Sequence, residues 1–325
     1  MRKIKWGVLG TAGIAHGQTI PGMLEAENCE LYAIAGRSLE KAEAFKAEFG
    51  FEKAYGSYQE LLDDPQVEAV YIPLPNDLHA EWTIKALNAK KHVLCEKPMA
   101  VNAGQLEEML KAAEENGVFL MEAFAYLHSP YVTALKNELD SGVIGDVRYM
   151  EASFITPARG LEDIRLRKET FGGALYDLGC YNTSIATWLL GEEPVNVEAL
   201  GEMMPQGIDI YTTALLTYAD GKRALLNAGM VTNGAAQGRI DWLRIHGTKG
   251  TLRSEVQYNQ KGELSYTVCV DGEETTRTVF ARQNYALEVE QLGRCIADGE
   301  QPHVSHAFSR MNARVMDRIL EKIGY

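Results

Sequence analysis

Two short stretches carry the side chains best suited to proton chemistry. The first is Glu96-Lys97-Pro98, directly after the apolar run Val93-Leu94. If that run is a parallel strand, Lys97 stands at its carboxyl end, the edge at which open α/β sheets bind ligands. Pro98 stops the strand and fixes its own φ, so the chain turns sharply after Lys97. A lysine there has a fixed base and a long reach; the plain alternative is a surface salt bridge between Glu96 and Lys97. The second stretch is Gly172-Gly173-Ala174-Leu175-Tyr176-Asp177-Leu178-Gly179-Cys180-Tyr181. Its helical pattern puts Asp177 and Tyr181 on one face. Gly172, Gly173 and Gly179 are costly in a helix unless something approaches closely. A carboxylate and a phenol beside glycines suit a crevice wall. The alternative is a buried Tyr181 hydrogen-bonded to Asp177 in a domain core.

A third group reads as a nucleotide site. Gly10-Thr11-Ala12-Gly13-Ile14-Ala15 follows the apolar run Ile4 to Leu9 and opens a helix. It is a variant of the G-x-G-x-x-G/A turn, with Ala12 in place of the second glycine. Small residues let the backbone approach a pyrophosphate, and the helix start offers unpaired N–H groups. A glycine-rich strand–helix turn can also be purely steric. The next strand ends at Gly36-Arg37-Ser38, about 20 residues beyond the turn, where the adenosine ribose is read. An acidic residue there would accept from a 2′-hydroxyl; Arg37 with Ser38 suits a 2′-phosphate, hence NADP. Ser38 also suits the N-cap of a helix from Leu39 to Phe49. Ala69 to Pro73 is a further apolar strand, and Pro73-Leu74-Pro75-Asn76 forms a rigid exit loop across the cofactor edge. Asn76 or Asp77 caps a helix carrying His79, a residue either at that edge or merely structural.

These residues need a scaffold, and the alternation of strands and helices over 1–121 predicts a doubly wound parallel sheet. Asn102 with Gln105 predicts a capping box, and Gly117 the end of that helix. After Glu122 the rhythm changes. Ser129-Pro130 opens a helix, 147–155 alternates as a strand, and 157–170 is a charged loop. A helix is expected from about Gly173 to Leu190. From Val195 to Phe280 the pattern is β, with strands near 209–219, 222–232, 239–246, 251–257, 264–270 and 273–280. Asp220-Gly221 and Asp271-Gly272 are hairpin turns. Two amphipathic helices, near 283–298 and 305–323, close the chain. The expected fold class is therefore an α/β Rossmann domain followed by an α+β domain with one large, mostly antiparallel open-faced sheet. The expected boundaries are 1–122 for dinucleotide binding and 123–325 for substrate binding and oligomerisation, the helices 283–323 included.

Composition narrows the function classes. The formal charge of −13 and the lack of a basic run argue against nucleic acid or an anionic membrane as partner. A phosphorylated cofactor needs only one local arginine. The five cysteines are scattered, with no C-x-x-C and no metal spacing, which points to reduced thiols in the cytoplasm and to no metal. No run approaches the roughly 18 apolar residues of a membrane span. Arg2, Lys3 and Lys5 before Trp6 to Ala15 imitate a short signal peptide, but Gly7, Gly10 and Gly13 fit a strand, turn and helix start better.

Taken together these segments resemble the glucose–fructose oxidoreductase / inositol dehydrogenase / MocA (Gfo/Idh/MocA) family over nearly the whole chain. The resemblance rests on Gly10 to Ala15, Pro75-Asn76 with His79, Glu96-Lys97-Pro98, Met121-Glu122-Ala123-Phe124, Asp177 and the position of Tyr181. Tyr181 stands where many members carry His. Together with Arg37-Ser38, it resembles the branch of dimeric dihydrodiol dehydrogenase and NADP-dependent xylose dehydrogenase. The resemblance implies an oxidoreductase moving a hydride between NADP(H), less readily NAD(H), and a carbinol or carbonyl carbon of a sugar, polyol or trans-dihydrodiol. It implies Lys97, Tyr181 and Asp177 as catalytic residues. Tyr181 would serve as acid/base, its phenol assisted by the Lys97 ammonium, while Asp177 orients substrate hydroxyls or Lys97. It implies cofactor contacts from Gly10, Thr11, Ala12, Gly13, Ile14, Arg37, Ser38, Pro73, Leu74, Asn76, His79, Glu96 and Lys97. Phe124, Tyr126, Arg159, Arg165 and Arg167 are candidates for substrate contact. Dimers or tetramers through the large sheet are implied as well. Two other classes remain open: an NAD-retaining glycosidase that uses redox transiently, against which Arg37 speaks, and a non-catalytic NADP(H) sensor, which would have no need of Lys97, Asp177 and Tyr181.

Overall fold

Four apolar runs too short for helices become strands buried on both faces. They are β1 (Ile4–Leu9), β4 (Ala69–Ile72), β5 (His92–Glu96) and β6 (Leu120–Ala123), joined by β2 (Cys29–Ala35) and β3 (Lys53–Tyr55). The computed structural model describes residues 2–232, 238–255 and 258–325. The six strands form one parallel sheet in the order β3-β2-β1-β4-β5-β6. Near-continuous apolar runs are what such doubly covered strands require. β3 is three half-buried residues at the sheet edge, Lys-Ala-Tyr. It has no apolar run, and the sequence reading had no strand there.

The helix signals hold locally. Ser38 accepts from the Lys41 N–H and so caps Leu39–Phe49. Asn102 accepts from the Gln105 N–H at 2.8 Å, and Gln105 reaches back to the Val101 N–H at 3.1 Å. The reciprocal half of the capping box thus falls one residue earlier than the simple pattern. Gly117 closes that helix with a φ of 63°.

The chain forms two compact units, Met1–Ser129 with Arg282–Ser309, and Pro130–Ala281 with Arg310–Tyr325. Helix Asn284–Asp298, read from sequence as part of the second domain, lies in the first unit. A Cβ added at Gly22 would meet Tyr285 Cβ at 2.6 Å, so the two helices touch at backbone distance. Asn28 Nδ2 donates to the Glu290 carbonyl at 2.9 Å, and the Glu290 carboxylate takes the Glu27 N–H and the Arg282 guanidinium.

The second unit is built on β7 (Val147–Pro157), β8 (Asn196–Met203), β9 (Asp209–Thr217), β10 (Arg223–Thr232), β11 (Ile240–Gly247), β12 (Gly250–Ser254), β13 (Gly262–Val270) and β14 (Glu273–Ala281). Their order is β14-β13-β12-β11-β7-β10-β9-β8, and only β7 with β10 run parallel. Burial alternates along β9 and β11, the mark of one covered face. Of the strand expected at 251–257, residues 256 and 257 lie outside the described residues.

Candidate active site

In the first unit the strand ends of the parallel sheet gather the nucleotide candidates. Gly10 has a φ of 128°, a conformation open to glycine. A Cβ there would lie 3.1 Å from Leu74 and 3.8 Å from Pro73, so the Pro73-Leu74 loop closes over this turn. Nothing lies within 4 Å of a Cβ built on Gly13, which opens the helix and is exposed. The helix begins with a π turn, Ala15–Thr19, before Ile20–Glu25, with Pro21 in its first turn. Thr11 reaches within 3.4 Å of a Cβ on Gly36, bringing Arg37-Ser38 beside the same turn. Arg37 is exposed, and its charge acts on the Tyr58 phenol, whose oxygen is 3.9 Å from the Cβ position of Gly10. A small-residue cradle, a helix start and an exposed arginine therefore share one edge, the donor set that a pyrophosphate and a 2′-phosphate require.

At the Lys97 turn the peptide to Pro98 is cis and Lys97 is half-buried. Glu96 differs from the surface reading. It is a buried side chain, not an exposed one. Its Oε1 accepts from Tyr71 at 2.5 Å, and its Oε2 from the Lys97 N–H at 3.3 Å; Thr19 donates to the Tyr71 oxygen at 2.9 Å. Glu288, on the returning helix, faces Glu96 and Tyr71 with both oxygens buried and unpartnered. Burial, reinforced by Glu96, pushes its carboxyl well above the usual range.

His79 is fully buried, with Nδ1 2.9 Å from the Pro98 carbonyl and Nε2 2.7 Å from the Leu74 carbonyl. It reaches the cofactor edge through two loops rather than with its own ring, and burial lowers its pKa. Asn76 is the first residue of helix Asn76–Asn88, whose N-cap is Pro75. Phe124 and Tyr126, candidates for substrate contact, are packed inside. Tyr126 and Phe308 each meet Phe124 edge-on, at 6.1 and 6.2 Å.

In the second unit Asp177 lies on a π turn, Leu175–Gly179, that leads into helix Cys180–Leu190. π turns of this kind recur at functional sites. Each oxygen of Asp177 takes an arginine: Arg165 Nε donates to Oδ1 at 3.0 Å and Arg159 donates to Oδ2 at 3.2 Å. Both arginines also reach Asp163. Their roles thus differ from free substrate ligands, while Arg167 is exposed and donates to the Glu162 carbonyl. The glycines answer a close approach. A Cβ on Gly172 would sit 2.4 Å from the Arg165 carbonyl, and one on Gly173, at φ 108°, 2.2 Å from Asp209.

Tyr181 stands in an aromatic cluster, 5.3 Å from the Phe154 ring and 5.0 Å from the Tyr258 ring, and its hydroxyl accepts from Asn259 at 3.3 Å. Two further residues were given no role by sequence reasoning. Asp209 accepts from the Leu175 N–H at 2.9 Å and from Thr212 at 2.6 Å, holding the start of the Asp177 turn from a distant strand. Glu122, a carboxylate inside the apolar strand β6, accepts from the Met99 N–H and from Ser309. An acidic residue in a doubly covered strand is itself the signal, since a buried charge demands partners. Among the described residues no cluster of His, Cys, Asp or Glu is placed to hold a metal ion.

Comparison with known proteins agrees over both units. Residues 4–124 match the oxidoreductase family with an NAD-binding Rossmann fold, and residues 132–253 match the Gfo/Idh/MocA C-terminal domain. An NADP+-dependent D-xylose 1-dehydrogenase of Haloferax volcanii is 35% identical, covering 97% of this chain and 96% of that protein. A trans-1,2-dihydrobenzene-1,2-diol dehydrogenase of Xenopus laevis is 33% identical, covering 98% of each. A 3-ketoreductase of Actinomadura kijaniata, solved with NADP and TDP-benzene, superposes with a TM-score of 0.91 at 31% identity, covering 99% of this chain and 98% of that one. The chain belongs to the Gfo/Idh/MocA family of oxidoreductases.

Proposed function

We propose that the protein is an NADP(H)-dependent oxidoreductase acting on a CH–OH group, or the corresponding carbonyl, of a sugar, polyol or trans-dihydrodiol. The observation that carries this reading is the edge where Gly10, the Gly13 helix start and Arg37-Ser38 meet. NADP is what the solved ketoreductase binds, and the xylose dehydrogenase is named for it. When bound, the nicotinamide supplies or accepts the hydride. The chain's own residues bind, orient and move a proton. Gly10 to Ile14 offer backbone to the pyrophosphate, Arg37 and Ser38 take the 2′-phosphate, and Pro73-Leu74 wall the edge.

Tyr181 is assigned the proton of the reacting hydroxyl, Lys97 a share in the acid/base work, and Asp177 the orientation of the second unit's polar groups. In solved variants of the ketoreductase a lysine and a tyrosine were replaced, at the same sequence separation as Lys97 and Tyr181 here. The first unit is assigned nucleotide binding, the second substrate binding and assembly. Leu200 on β8 is 82% exposed, and Val231 on β10 is exposed too, which supports a homodimer or homotetramer through this sheet. Cytoplasmic residence is proposed from five cysteines that form no disulfide; among the described residues no helix is long and apolar enough to cross a membrane.

The test is a panel of sugars, polyols and dihydrodiols with NADP+ and with NAD+, followed by the absorbance of the reduced nicotinamide. Steady NADP+ reduction by a member of the panel is expected. No turnover with any of them, or in the reverse direction with the matching carbonyl compounds, would remove the reading. Sedimentation as a monomer at micromolar concentration would remove the assembly.

A further inference from the structure

We infer that Glu122 is a positioning residue for Lys97, a buried carboxylate that holds the turn on which Lys97 stands and supplies its counter-charge. The inference rests on the reading of Lys97 as a proton-handling residue. Glu122 lies on β6, directly across from Cys95 on β5. Its Oε1 accepts from the Met99 N–H at 3.0 Å, just past the cis peptide that follows Lys97. Its Oε2 accepts from the Ser309 hydroxyl at 2.6 Å, at the start of the last helix. One carboxyl therefore ties β6, the Lys97 turn and the returning C-terminal segment, all within the first unit.

A side chain 4% exposed has lost its water, and that loss favours the protonated acid. Burial leaves its pKa above the ordinary glutamate value, and three features limit that rise: the two donors aimed at its oxygens and the positive charge of Lys97. Lys97 also faces His79, but burial favours the neutral form of that ring. Glu122 thus offers Lys97 an opposite charge, which the His79 ring does not.

Glu122→Gln is close to isosteric and can keep both hydrogen bonds, its amide oxygen accepting from Met99 and its amide nitrogen donating to Ser309. It removes only the charge. The readout is the pH dependence of acylation of Lys97 in the full-length protein by acetic anhydride, followed by peptide mass, because only the neutral amine reacts. The midpoint should fall by about one pH unit in Glu122→Gln, the size of one lost opposite charge, and Glu122→Asp should restore most of it. The corresponding limb of the kcat/KM profile should move the same way. Ser309→Ala keeps the carboxyl but withdraws a donor from its ionised form, so it should shift the midpoint in the same direction by less. Midpoints equal to the parent's in both Glu122→Gln and Ser309→Ala overturn the inference; should the Gln variant not fold, Ser309→Ala decides. If the midpoint shifts while Lys97→Met retains full turnover, the assignment of Lys97 fails and the role of Glu122 as its counter-charge stands.

Discussion

Arg165 donates its Nε–H to Oδ1 of Asp177 at 3.0 Å, while the backbone carbonyl of the same arginine accepts from the Gly173 N–H at 2.7 Å. Side chain and main chain thus bind the 157–170 loop to the turn that carries Asp177. Leu166, from the same loop, is buried in the core beneath. Removing the guanidinium should therefore displace Asp177 rather than unfold the unit. Arg165→Ala is expected to lower kcat/KM by about 10- to 100-fold, the scale of a misplaced group at a reacting centre, with the Kd for NADPH unchanged. Steady-state kinetics beside a fluorescence titration of NADPH checks this, and a parent-like kcat/KM would sink it.

Arg37 should decide between the two nicotinamide cofactors. It is exposed at the end of β2, beside the Gly10 turn, where a 2′-phosphate would meet a planar set of donors. Charge-assisted hydrogen bonds contribute roughly 1.5–3 kcal/mol each, so Arg37→Ala should weaken NADP+ by about 10- to 150-fold and leave the KM for NAD+ nearly unchanged. Arg37→Asp should reverse the preference. Equal weakening of both cofactors would show that Arg37 stands elsewhere than at the 2′-position.

Lys97→Met and Tyr181→Phe should each lower kcat by about 10²–10⁴-fold, the usual worth of a general acid–base group, while NADPH still binds. Tyr181→Phe should also flatten the limb of the pH profile that belongs to the phenol. If either variant turns over at the parent rate with the parent profile, that residue is only packing.

Glu288 should make stability depend on pH. Its folded-state pKa is raised, by burial first and then by Glu96, so it keeps its proton where the unfolded chain has lost it. The stability this contributes is complete below the ordinary glutamate pKa of about 4.3 and is lost as pH rises through the folded value. Glu288→Gln never ionises. It should match the parent's Tm near pH 4 and exceed it at pH 8 by about 2–4 °C, the shift that 1 kcal/mol gives a domain of this size. A gap in Tm that shrinks as pH rises would refute this sign. Calorimetry across the range reads it directly.

The sequence was most legible where a signal and its cause lie within a few residues of each other. The Gly10 turn, the Ser38 and Asn102 caps, the Gly117 stop and the Asp271-Gly272 hairpin all stand where local chemistry put them. The doubly wound parallel sheet followed from alternation, whereas its edge strand β3 and its strand order did not. What stayed hidden was set by partners far along the chain. Nothing near Asp209 says that it holds the helix start at Leu175. Nothing near Glu96 says that its carboxylate turns inward to Tyr71. Amphipathicity gave helix Asn284–Asp298 its existence, but an apolar stripe does not name the surface that it covers. Arg159 and Arg165 were read as candidates for substrate contact, and nothing in their loop says that both pair with Asp177.

That helix has a consequence for biosynthesis. The first unit runs to Ser129 and is finished by Arg282–Ser309, with Pro130–Ala281 of the second unit lying between them in the chain. A nascent chain that has just left the ribosome with β1 to β6 still lacks the helix that covers Gly22, Asn28 and the Ile20–Glu25 face. Vectorial completion, first unit before second, is therefore closed to this protein. The Ile20–Glu25 face of its parallel-sheet unit stays uncovered until Arg282–Ser309 has followed the 130–281 segment.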